Sequence, residues 1–167
     1  MKSLLTFNFE VDKTTDTISV TREFAADVPL VWEAWTTAEM LDQWWAPRPY
    51  ETKTQSMDFR NGGRWFYAMV GPEGDKHWCV ADYSDIDFQK SFSHLDAFCD
   101  ENQVLNTQMQ RTQWKSTFSK KGENTIVNVL LKYEKLEDLE KIIEMGFKEG
   151  FTMAMGNLDE LLEKVKN

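Results

Sequence analysis

The sequence predicts an α+β fold, an antiparallel meander closed by one long C-terminal helix, and two patterns carry that prediction. From Glu51 to Glu134 apolar residues recur with period two between turn clusters, the signature of hairpin-linked strands. From Gly146 onward, Phe147, Phe151, Ala154, Leu158, Leu161 and Val165 are spaced four, three, four, three and four, which draws one apolar stripe along an α-helix. The far part of that stripe is Leu and Val, whereas its first turns mix Phe with Met145, Gly150, Met153 and Met155. Leu packs firmly, while Met and Gly leave an adaptable, less filled surface. A hydrophobic cavity is therefore expected at the start of the helix.

The elements follow in order. Leu5, Phe7, Phe9 and Val11 alternate, as do Ile18, Val20 and Phe24, on either side of the polar run from Asp12 to Asp16. They read as two strands, or as one first strand with an interruption. Two short helices come next. Asp27 is an N-cap candidate with Pro29 in the first turn, and Thr37 is a cap candidate for Ala38 to Trp45, which Pro47 and Pro49 end. The meander is punctuated at Asn61-Gly62-Gly63, at Gly71-Pro72-Glu73-Gly74, at Asp87-Phe88-Gln89-Lys90 and at Lys120-Lys121-Gly122-Glu123-Asn124. Val127, Val129, Leu131 and Tyr133 form its buried face. Leu136 to Met145 is a short helix, and Gly146 is a natural break before the long one.

At 167 residues the chain, 1–167, reads as one domain with room for a real core. Lys and Arg number 19 against 28 Asp and Glu, a formal charge of −9. With no basic stripe, nucleic-acid and anionic-membrane binding would work against repulsion, and neither is expected. No apolar run reaches the ~20 residues of a membrane span, and the first residues lack the apolar block of a signal peptide. The two cysteines, Cys79 and Cys99, suit a reducing compartment and are expected as buried free thiols; the expected location is cytoplasmic.

The segments Val31-Trp32-Glu33-Ala34-Trp35-Thr36, Trp44-Trp45-Ala46-Pro47 and Gly62-Gly63-Arg64-Trp65, with the Gly71–Gly74 turn, resemble the START-like (SRPBCC) superfamily. Within it they look most like the branch related to the C-terminal domain of the activator of heat-shock protein 90 ATPase. The resemblance covers roughly residues 17 to 165. It implies a helix-grip fold, a curved antiparallel sheet wrapped around the C-terminal helix with a cavity between them. It also implies one of three functions: binding a hydrophobic ligand, cyclising a polyketide, or binding a protein partner. Fold alone does not choose among them. In such a fold Met57, Phe59, Trp65, Tyr67 and Met69 from the sheet would face the cavity. His77, Cys79, Asp96 and Phe98 from the next hairpin would join them, with Phe147, Gly150, Phe151 and Met155 from the helix.

Catalytic and metal chemistry is weakly supported by the residues. His77-x-Cys79 and His94-x-Asp96 each put two donors on one face of a strand. If the intervening turn centres between Phe88 and Gln89, Cys79 pairs with Phe98, Ala81 with Asp96 and Tyr83 with His94. His77 then stands six residues from the partner of His94, roughly 20 Å at ~3.3 Å per residue, too far to share an ion. No metal and no cofactor are expected. There is no Gly-x-Ser-x-Gly elbow, and neither cysteine starts a helix. Asp96, between Leu95 and Ala97-Phe98, is the best general acid–base candidate and His77 the second. The plainer reading of Asp96 is a buried carboxylate satisfied by hydrogen bonds. Of the aromatics, Trp32, Trp35, Trp44 and Trp45 read as core and lid packing, whereas Trp78 is a candidate for an outward partner surface.

The sequence reading thus puts non-catalytic binding of a small hydrophobic or aromatic ligand first, with no catalytic residues assigned. A protein-interaction module acting on a chaperone is the alternative, and a cyclase- or lyase-type enzyme using Asp96 or His77 the third.

Overall fold

The computed structural model describes residues 5–166. Among them the chain forms strands β1 (Phe7–Asp12) and β2 (Thr17–Phe24), then helices α1 (Val28–Thr36) and α2 (Ala38–Trp44). Six strands follow: β3 (Glu51–Met57), β4 (Arg64–Val70), β5 (Lys76–Asp87), β6 (Ser91–Cys99), β7 (Gln113–Lys121) and β8 (Asn124–Lys132). Helices α3 (Leu136–Glu144) and α4 (Phe147–Lys166) end the chain. The two short helices therefore follow a completed β1–β2 hairpin, not a single first strand.

All pairings are antiparallel, in the order β1-β2-β8-β7-β6-β5-β4-β3. The period-two pattern sets the buried face: Trp65 and Tyr67, then Cys79, Ala81 and Tyr83, then Trp114 and Phe118, then Val127, Val129 and Leu131. These residues share one core with Phe151, Ala154, Leu158 and Leu161 of α4, so the curved sheet closes on the last helix.

Local chemistry explains the boundaries. The Asp27 carboxylate accepts the Leu30 N–H at 3.2 Å and caps α1, with Pro29 in its first turn. Thr37 does not cap α2 through its side chain; the hydroxyl donates back to the Glu33 carbonyl at 3.0 Å. Gly146, at φ +88°, separates α3 from α4 in a conformation that L side chains rarely adopt. Gly63 is obligatory for another reason: a Cβ there would lie 2.0 Å from the Asp58 carbonyl oxygen. Val165, expected at the end of the buried stripe, is 48% exposed, and burial stops with Leu161 and Leu162.

The β5–β6 register is the expected one, with Cys79 opposite Phe98, Ala81 opposite Asp96 and Tyr83 opposite His94. The turn differs: Asp87 pairs with Ser91 across a longer loop, and an irregularity between Ser84 and Asp87, with Asp85 at φ +51°, restores the alignment. This register separates the cysteines. Cys79 is buried in the inner core, while Cys99 pairs with Trp78 and joins a small cluster around Phe66, Val80 and Ala97 on the outer face. Both are free, and Cys99 is only half-buried. Trp78 is half-buried there too, stacked on Phe66 with ring centroids 5.1 Å apart.

Candidate binding cavity

The concave face is divided along its length by aromatic packing. Under α1, Trp32 meets Phe59, Phe92 and Phe118 edge-on at 6.0, 5.7 and 5.1 Å, which fills that end. In the middle, Trp45 of the α2 C-cap, Trp114 of β7 and Phe151 of α4 meet at 5.7–6.0 Å. Beyond them, below the start of α4, a cavity of about 300 Å³ remains. Its wall includes Met69, Phe98, Leu131, Ile142, Phe147 and Gly150. Gln110 and Met145 line it and are also exposed, so its mouth lies between the segment before β7 and the α3–α4 junction.

One side of the cavity is polar. Asp96 of β6 accepts the Thr112 backbone N–H and the Trp114 indole N–H, each at 2.8 Å. Burial pushes its carboxyl up to about 6, against those two hydrogen bonds and the nearby Arg111 charge, which favour ionisation. Tyr67, Cys79, Thr112 and Tyr133 line the same cavity. Burial raises the Tyr67 and Tyr133 phenols, and it pushes the Cys79 thiol up to about 12, with the Asp96 charge adding to the rise. Trp45 donates its indole N–H to the Tyr67 oxygen at 3.2 Å, and the Tyr67 ring stacks on Trp65 at 3.8 Å. Arg111 is turned away: its guanidinium donates to the Asp82 carboxylate at 2.6 Å and to the Leu95 and Asp96 carbonyls.

Of the residues singled out from sequence, Tyr67, Met69, Cys79, Asp96, Phe98, Phe147, Gly150 and Phe151 line this cavity. Five do not. Phe59 belongs to the filled end, 4.7 Å from Tyr83 and 5.4 Å from Phe92. Met57, its neighbour on the edge strand, pairs with Trp65, and Trp65 is buried with its indole N–H on the Thr54 hydroxyl at 2.9 Å. Met155 is fully buried in the core. His77 is exposed at the open end of β5, its Nε2 3.2 Å from the Asp75 carboxylate, which removes it from any cavity chemistry. Trp45, Trp114 and Tyr133 were missed as wall residues, although Tyr133 and Leu131 stood in the predicted inward face of the last strand.

His94 is the unexpected group. It is fully buried, stacked on Trp114 at 5.0 Å, and its Nδ1 has no hydrogen-bond partner. Burial lowers its pKa to about 3, so the ring is neutral. Among the described residues no group of three His, Cys, Asp or Glu side chains is arranged to hold a metal ion, and no helix is long and apolar enough to cross a membrane.

With this geometry in hand, the family model for "Activator of Hsp90 ATPase homolog 1-like protein" matches residues 25–163. The chain belongs to that family. Solved structures similar to this AHSA1-like chain include a Mycobacterium smegmatis protein, 31% identical over 95% of this chain and 97% of that one, with TM-score 0.87. An Arthrobacter aurescens protein is 26% identical over 94% and 91%, with TM-score 0.89. An AHSA1 protein from Silicibacter pomeroyi, 18% identical over 88% and 97% with TM-score 0.68, shares the fold. No curated protein matches the AHSA1-like chain.

Proposed function

We propose that this AHSA1-like chain binds a small apolar or aromatic ligand, non-catalytically, in the cavity beneath the start of α4. The observation that carries this reading is the 300 Å³ space itself, walled by Met, Phe, Trp and Tyr side chains. An apolar guest gains about 25 cal/mol per Å² of buried apolar surface, less the cost of association. Among the described residues Asp96 is the only carboxylate in the wall and no histidine or lysine joins it, which favours binding over cyclase or lyase chemistry. The chaperone-partner reading, which the family's name suggests, called for an exposed apolar surface at Trp78. That ring is instead half-buried, stacked against Phe66.

Gly150 tests the proposal. A Cβ at this position would meet only the Pro47 ring, at 3.7 Å, so the backbone accepts a side chain. Gly150→Leu is expected to melt at or above the wild-type temperature, since a helical glycine costs about 1 kcal/mol. It should weaken binding of the neutral probe N-phenyl-1-naphthylamine by more than about tenfold, because the leucine occupies the guest's space. Phe151→Ala should enlarge the site and lower the melting temperature. Equal probe affinity in Gly150→Leu and wild type would remove the start of α4 from the cavity wall and end this reading.

A further inference from the structure

The polar side of the cavity is built around one carboxylate, Asp96, whose nearby cation Arg111 makes no hydrogen bond to it and is engaged by Asp82. Asp96 uses one oxygen for Thr112 and the other for Trp114. A carboxylate offers about four acceptor positions, so about two stay open. Arg111, whose charge favours ionisation of Asp96, donates its guanidinium to the Asp82 carboxylate and to the Leu95 and Asp96 backbone carbonyls, with no hydrogen bond to the Asp96 carboxylate. Every other described wall residue is uncharged, and Tyr67, Cys79 and Tyr133 are kept protonated by burial. A partly desolvated carboxylate whose neighbouring cation is taken up by another carboxylate is costly to a fold, and a cation in the cavity would offset that cost.

The surroundings of Asp96 state what would supply it. Trp45, Trp114, Phe147 and Phe151 present rings around the same space, and aromatic faces attract cations by their quadrupole. The chain carries a formal charge of −9, so the outer field also draws cations inward and repels anions. Among the described wall residues none is cationic, so the donors there offer a carboxylate or phosphate group no opposite charge.

We infer that the ligand is an aromatic or alkyl amine, with its ammonium group on Asp96 and its apolar body against the Trp45–Trp114–Phe151 wall. This rests on the cavity reading above and adds the sign of the ligand's charge and the residue that selects it. An ammonium loses water on entry, and a charge-assisted hydrogen bond to Asp96 with cation–π contacts offsets that loss. A neutral guest of the same shape gains only the apolar contacts.

Three indole probes, the first two of the same shape, separate the possibilities by calorimetric titration at pH 7.5: tryptamine, neutral 3-propylindole, and the anion indole-3-propionate. Tryptamine is expected to bind at least about tenfold more tightly than 3-propylindole, and the anion least tightly. In Asp96→Asn the advantage of tryptamine should fall below about threefold with 3-propylindole unchanged. If that variant does not fold, wild type at pH 5 supplies the comparison, because Asp96 becomes protonated there while Tyr67, Cys79 and Tyr133 do not change charge. The advantage of the amine should shrink in the same way. Equal or tighter binding of 3-propylindole at pH 7.5 would overturn the amine assignment alone. An advantage that persists in Asp96→Asn, or at pH 5, would overturn the role of Asp96. Failure of all three probes to bind would overturn both this inference and the cavity reading.

Discussion

Leu158→Ala is expected to cost roughly 2–5 kcal/mol, the range of a large-to-small truncation in a packed core. Leu158 has no solvent exposure and lies in the same cluster as Val127, Val129 and Leu131. Trp35, Trp44 and Trp45 hold α1 and α2 on one another edge-on, at 4.8–6.0 Å, so the neighbourhood has little freedom to collapse into the space left behind. Val165→Ala on the same helix, at a position 48% exposed, should cost less than ~0.5 kcal/mol. Urea unfolding of both variants measures the contrast. A loss below ~0.5 kcal/mol for Leu158→Ala would place the sheet–helix seam somewhere else.

Acid stability should expose two buried groups working in opposite senses. The unfolded chain protonates His94 near its ordinary 6.5, while the folded chain resists to about 3, so this group destabilises the fold as pH falls through that window. Asp96 does the reverse. Its ordinary value of 3.8 rises to about 6 on folding, so the folded state takes up the proton first and gains stability as pH falls from 6 towards 4. Each slope approaches about 1.4 kcal/mol per pH unit, and between pH 6 and 4.5 they oppose one another. Wild-type stability should change less there than that of either variant. Asp96→Asn should lose about 2 kcal/mol over the same interval, because the histidine slope stands alone. His94→Phe should gain a similar amount. Denaturant melts at pH 6.0, 5.25 and 4.5 decide the matter: parallel curves for the three proteins would mean that these groups titrate alike in the folded and unfolded chain. Glu23, held near 2 by Asn124, the Thr6 N–H and Lys121, loses its contribution as pH falls from about 5 towards 2, chiefly below the interval of these melts.

Much of the fold was legible because two periods carry it. Residues such as Val127, Val129 and Leu131 could be assigned to a face, since β8 alternates regularly along its length. The β5–β6 pairing was recovered even though the turn is longer than expected, since the irregularity near Asp85 offsets the added length. The cavity was legible only in part. Periodicity says which side of a strand faces inward but not which end of a curved sheet is filled. Phe59 and Met69 both belong to the inner surface, yet Trp32 fills the space at the first and α3 leaves it open at the second. The wall contributed by Met109 and Gln110 had no signal at all, since these residues lie in an irregular segment between strands. His94 was read only as a metal-ligand candidate; its stacking on Trp114 depends on cross-strand register, which becomes visible only once β6 and β7 are paired.

The opposite facing of Cys79 and Cys99 gives the protein two thiols with separate fates. Adjacent strands bring them near in sequence register, yet the pleat sends one inward and one outward, so an intramolecular bridge would require a strand to slip by one residue and turn every side chain over. Oxidising conditions therefore cannot join the two thiols across the sheet. Cys79, with its thiol pushed up to about 12, stays inert to alkylating reagents that need a thiolate. Cys99, partly open to solvent, is the point where a dye or spin label can be attached on the far side of the sheet while the chamber stays intact.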